Sequence, residues 1–182
     1  FERFLHDSSN SNTLSANEVL TITRDLRGNL WVGTFGGGLT QVTKKKKPVS
    51  KSGGYHFIHY KYNHSDSNSI SSNQVLSHCI DKYGNSWIGT SNGLNLLPVG
   101  TKKFTRFYNR DNNTNSIINS TVHRIFIDKD NRIWISGKGM LDRITSHNDA
   151  SSDSIKVEHL LPSLVGNTKA HEWVINDFIT DR

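Results

Sequence analysis

One register of residues recurs three times along the chain, and few folds accommodate it. Val19, Asp25, Gly28, Asn29, Trp31 and Gly33 return as Val75, Asp81, Gly84, Asn85, Trp87 and Gly89. They return again, with changes, as Val122, Asp128, Asn131, Arg132, Trp134 and Ser136. The valine-to-tryptophan interval is 12 residues in every copy. An apolar pair stands 18 residues ahead of each valine: Phe1 and Phe4, Phe57 and Tyr60, Phe104 and Phe107. Val157 and Leu160 stand likewise ahead of Ile175, which opens a fourth, shortened copy. The step between tryptophans varies, 56 residues and then 47, and the surplus falls in 44–54. Insertions that leave the markers in place belong in loops.

Each copy reads as four short strands, A to D, rich in β-branched and aromatic residues and bounded by Gly, Asn or Asp. Strand A covers about Val19–Arg24, Val75–Ile80 and Val122–Ile127, and strand B about Asn29–Gly33, Asn85–Gly89 and Arg132–Ser136. Strand C covers Leu39–Val42, Leu94–Leu97 and Leu141–Ile144, and strand D Phe57–Tyr60, Phe104–Phe107 and Val157–Leu160. The A–B turn places an Asp at its entrance to accept backbone N–H groups and a Gly near its exit for positive φ. Asn131 replaces that Gly in the third copy, and Asn tolerates left-handed geometry better than most residues. The indoles are expected to pack between neighbouring sheets, and Gly33, Gly89 and Gly137 to admit a close backbone.

Four-stranded repeats of this length predict an all-β fold, a β-propeller segment of four-stranded antiparallel blades. A β-sandwich would not require the same Trp in every unit. The expected layout is 1–4 as the outer strand of a preceding blade, 5–62 as loop plus blade 1, and 63–108 as loop plus blade 2. Loop plus blade 3 follow at 109–160, and loop plus the first strand of another blade at 161–182. Closed propellers typically need about 4–8 blades, so about three blades leave the ring open, and the chain is expected to be part of a longer protein.

Composition narrows the classes of function. A mean hydropathy of −0.56 suits short strands joined by polar turns. Lys plus Arg number 22 against 16 Asp plus Glu, a net charge of +6 that favours anionic partners. No aromatic residue is interleaved with Lys44–Lys47, so nucleic-acid binding by this segment is not expected. No apolar run is long enough to span a membrane. The single cysteine, Cys79, lies in an apolar strand pattern and reads as a structural thiol. The nine histidines show no H-E-x-x-H spacing, and Asp128–Asn131 lacks the remaining ligands of a calcium loop. No metal and no cofactor are expected. Glu is scarce, no carboxylate pair is assembled for glycoside hydrolysis, and no catalytic residue is assigned.

The pattern V-x-x-I-x-x-D-x-x-G-N-x-W-I/V-G-T, followed by G-G-L, resembles the two-component regulator propeller repeat. Val19–Leu39 and Val75–Leu94 carry it closely; Val122–Leu141 departs at Asn131 and at Ser136-Gly137. That resemblance implies the periplasmic sensor region of a Bacteroides-type hybrid sensor histidine kinase and response regulator. Such a region senses an oligosaccharide and signals, through a homodimer of the parent protein, to a kinase outside the segment. The other blades of the same protein are its structural partners. A propeller scaffold for protein partners is the alternative, and a propeller hydrolase or lyase a further one. In this strand order the D–A and B–C loops share one face. Phe35, Asn92 and Lys138 project from equivalent B–C loops, where an aromatic face, an amide and a charge suit a sugar. Asn17, Asn73 and Asn119 stand just before strand A; they are ligand candidates or close the turn through local hydrogen bonds.

Overall fold

The structure is a computed structural model and describes residues 3–45, 54–146 and 155–160. All its regular structure among those residues is strand. The first sheet comprises β1 (Val19–Arg24), β2 (Leu30–Thr34), β3 (Gly38–Lys44) and β4 (Tyr55–Tyr60). The second comprises β5 (Val75–Ile80), β6 (Ser86–Thr90), β7 (Gly93–Leu97) and β8 (Thr105–Phe107). The third comprises β9 (Arg124–Ile127), β10 (Ile133–Gly137), β11 (Met140–Ser146) and β12 (Lys156–His159). Each sheet is an antiparallel meander in chain order, and none closes on itself. Of the outer strand expected at 1–4, residues 1 and 2 lie outside the described residues and Arg3 and Phe4 are in no ladder; the expected strand at 175–182 also lies outside the described residues.

Adjacent sheets meet chiefly through their first strands, β1 against β5 and β5 against β9. Convergence at one edge and divergence at the other is a radial, propeller arrangement. Side chains from two sheets then share the two inter-sheet cores. Trp31 and Leu39 of the first sheet pack with Val75, Ile88 and Leu97 of the second. Trp87 and Leu94 of the second pack with Val122, Ile125, Ile133 and Ile144 of the third. Trp87 is fully buried and Trp31 nearly so. Trp134 faces away from the second sheet and is half-buried, with the Arg143 guanidinium 5.3 Å from its ring.

Smaller contacts repeat the same spacing. Thr23 Oγ1 of β1 donates to His78 O of β5 at 2.9 Å, and Cys79 Sγ of β5 to Ile125 O of β9 at 3.0 Å. Cys79 thus stands in the place of Thr23. Burial pushes its thiol up to about 11, which leaves it a protonated, unreactive packing group. Gly33 and Gly89 are the points of closest approach. A Cβ at Gly33 would stand 2.5 Å from Val75 Cγ1, and one at Gly89 2.7 Å from Val122 O. Outer strands also touch: Tyr60 meets Phe104 edge-on at 5.6 Å. Phe4, one repeat earlier, meets Phe57 at 5.9 Å, so it takes the position of an outer-strand residue without a ladder around it.

Candidate functional site

The A–B turns are the most regular local feature. Asp25 Oδ1 accepts the backbone N–H of Arg27 at 2.9 Å and of Asn29 at 2.8 Å. Its Oδ2 accepts the Asn29 side-chain amide at 2.8 Å and the Trp31 indole N–H at 3.1 Å. Asp81 repeats the set with Tyr83, Asn85 and Trp87. At Asp128 the amide is replaced by the Arg132 guanidinium, 2.6 Å away, and Trp134 Nε1 donates at 2.9 Å. Burial alone would raise the carboxyls of Asp25 and Asp128, but the donors prevail. Asp25 lies below the ordinary carboxylate range and Asp128 at about 2. Gly28 and Gly84 adopt positive φ, 84° and 88°, and Asn131 follows at 61°. The Asn131 side chain also accepts Lys82 N at 2.9 Å, a tie between blades that glycine cannot make. These carboxylates are engaged by the turn and the tryptophan, and Asp128 also by the Arg132 guanidinium.

The loops at the other end of the sheets hold the residues singled out in the sequence. Phe35, Asn92 and Lys138 are exposed on the three B–C loops. The Phe35 loop docks on the segment entering the next blade: Gly36 N and Gly38 N donate to Asn73 O at 3.0 and 2.9 Å, and Phe35 bridges Gln74. Gly93 N donates likewise to Ser120 O. The structure therefore brings Phe35 together with Asn73. It also brings Lys138 together with Asn119, whose amide donates to Lys138 O at 3.3 Å. Asn92 is held within its own turn, its N–H on Thr90 Oγ1 at 3.1 Å.

The three asparagines are not one set. Asn17 Oδ1 accepts His6 N at 2.8 Å, and Asn73 Oδ1 accepts Tyr62 N at 2.8 Å, each closing its D–A loop across 11 residues. In the third blade the same bond runs from Asn109 N to Ser120 Oγ at 3.2 Å. The expected equivalence of Asn119 with Asn17 and Asn73 is therefore corrected: Ser120 holds that place. Asn119 instead accepts Thr121 N at 2.8 Å, a local turn of two residues. All three carbonyl oxygens are thus engaged in closing loops. The D–A loops are further clamped from strand D, by His59 on Ser11 O, Arg106 on Ser69 O and Asp66 O, and His159 on Thr114 O.

Buried polar residues beneath this face were not anticipated. Asp142 is fully buried, receives His159 at 2.8 Å and Ile118 N at 3.0 Å, and is pushed up by its burial. Thr40 and Asn95 hold the equivalent position in the other sheets and bond to Ser15 and Ser71. The sequence signal was a polar residue at the second position of strand C in every copy. A separate cleft of about 440 Å³ opens between the first two sheets at the opposite end, lined by residues that include Trp31, Gln41, Tyr60 and Tyr83. Of the lysine run, Lys44 and Lys45 are exposed, and Lys46 and Lys47 lie outside the described residues.

Comparison with known proteins bears on this arrangement. Residues 116–139 match the model of the family described as two component regulator propeller. No match is found among curated proteins. Among solved structures, the chain resembles PorZ, a surface component of the type-IX secretion system of Porphyromonas gingivalis, with a TM-score of 0.55 and 19% identity. That match covers 78% of this chain and 21% of PorZ. The extracellular domain of the hybrid two component system BT3049 from B. thetaiotaomicron is similar at 21% identity and a TM-score of 0.48, over 79% of this chain and 24% of that one. The extracellular domain of BT4673 from the same organism gives 20% and 0.37, over 70% and 21%. The chain spans less than a quarter of the length of each.

Proposed function

We propose that this chain, whose residues 116–139 match the two-component regulator propeller model, is part of the extracytoplasmic ligand-sensing propeller of a hybrid two-component regulator. The family match carries this reading. The ligand proposed is an oligosaccharide, bound where the D–A and B–C loops meet, with acidic glycans included because the chain carries a net charge of +6. The exposed Phe35 ring offers a face to sugar C–H groups, Asn92 an amide to hydroxyls, and Lys138 a cation to a carboxylate or sulfate. Docking of the B–C loop on the next blade supports the reading physically: it fixes the loop backbones, so binding need not pay to order them. The role assigned to the segment is binding, with kinase chemistry in other parts of the same protein and the signal passing as a ligand-biased shift between two arrangements of a dimer.

Calorimetry on the full protein with oligosaccharides tests the site. Phe35→Ala combined with Lys138→Ala is expected to lower affinity at least about tenfold, the scale of losing one aromatic and one charged contact. Unchanged affinity in the double variant would remove these loops from the site.

A further inference from the structure

The cleft between the first two sheets opens on the A–B and C–D loops, away from the site proposed above, and has its own chemistry. Its volume, about 440 Å³, lies in the range of small-ligand sites. Two positions on its wall are polar where the second sheet has apolar residues. Beside Trp87 on strand C stands Leu96, almost fully buried, and the outer strand supplies buried Phe107. Beside Trp31 the same positions hold Gln41 and Tyr60, both half-exposed. Neither the Gln41 amide nor the Tyr60 hydroxyl has a hydrogen-bond partner among the described residues.

The electrostatics are one-sided. Arg27 and Lys102 line the cleft, are exposed, and pair with no carboxylate among the described residues. Lys82 Nζ, 5.1 Å from the Tyr83 ring, adds a third positive charge alongside. The one carboxylate on the wall, Asp25, already receives four donors from its own turn and its indole. Tyr83 presents a ring that is 59% exposed. An aromatic face, an unpaired amide and hydroxyl, and unpaired cations suit one kind of small molecule: a flat-faced polyol ring that carries a carboxylate.

We infer that this inter-blade cleft is a second binding site, for an acidic saccharide unit of the hexuronate type. Gln41 and Tyr60 meet its hydroxyls and Arg27 and Lys102 its carboxylate. The inference is independent of the loop site at the other end of the sheets.

The test is titration calorimetry on the full protein with a glucuronate-containing disaccharide and with cellobiose, its neutral counterpart. The acidic probe is expected to bind at least about fivefold more tightly than the neutral one. Gln41→Leu, which installs the residue found at Leu96, is expected to weaken the acidic probe about tenfold. In a Phe35→Ala with Lys138→Ala background, which removes the loop contacts, the loss caused by Gln41→Leu is expected to persist, which separates the two sites. If Gln41→Leu does not fold, Arg27→Ala with Lys102→Ala, both on the surface, must give the same loss. No binding of the acidic probe at millimolar concentration would overturn the inference. So would equal affinity for the two probes, or full affinity in the cleft variants.

Discussion

At the scale of single residues, the most consequential atoms are the two oxygens of each turn aspartate. Asp81 is 1% exposed and gathers two backbone N–H groups, an amide and the indole of the fully buried Trp87. Removing it orphans all four donors, and a buried orphan costs about 1–3 kcal/mol. Asp81→Ala is expected to destabilise the protein by at least about 2 kcal/mol, measured as a shift in the urea midpoint at constant slope. The turn was legible in the sequence because Asp, Gly and Asn are each demanded by local backbone geometry. The indole bond was not, since it joins residues six apart around a bend whose geometry appears only once the turn is built. A second residue-scale consequence concerns His78, which is 4% exposed, with neither ring nitrogen bonded among the described residues. Burial holds it at about 3, against 6.5 when free, partly offset by the field of Asp25. Between those values the unfolded chain binds a proton that the folded one refuses. Stability therefore falls as pH drops from about 6.5 towards 3, by about 1.4 kcal/mol per unit. His78→Ile, matching Ile125 and Ile22 in the other copies, is expected to flatten that slope in acid-melting curves.

At the scale of elements, sheet-to-sheet packing depends on a large residue and a missing side chain side by side. Trp87 fills the core between the second and third sheets, and Gly89, two residues on, lets Val122 approach β6. Gly89→Ala would place a methyl 2.5 Å from Ser77 Oγ and 2.7 Å from Val122 O. Overpacking of this kind costs about 1–3 kcal/mol. Trp87→Ala is expected to cost about 3–5 kcal/mol, because the ring is fully buried between two sheets. Thermal denaturation of the two variants checks both losses, with Trp87→Ala the larger. Strand positions were legible from period and turn residues, though the third A strand starts at Arg124 rather than Val122. Val122 N is drawn instead to Thr90 O of the second sheet, a tertiary bond that no local pattern announces.

At the scale of the molecule, the radial stacking of sheets accounts for both proposed sites. One end gathers D–A and B–C loops and interlocks each blade with the next; the other leaves a wedge between blades where polar residues replace apolar ones. The loop residues were legible as a set because equivalent loops carry them at equivalent positions. The cleft was not legible, because it is defined by Gln41 and Tyr60 against Tyr83 and Lys102 across a sheet boundary. The place of Asn119 was misread because the residue type changes at that position: the closing bond spans 11 residues in every blade, and in the third its end is Ser120, one residue beyond the asparagine. Everything rests on Trp31 and Trp87 each lying between its own sheet and the following one. In aromatic NOE spectra of the protein, the Trp31 indole must show cross-peaks to the His78 ring, whose centroid lies 5.6 Å away on the next sheet. Cross-peaks from Trp31 confined to residues of its own sheet would contradict the stacking, and both sites with it.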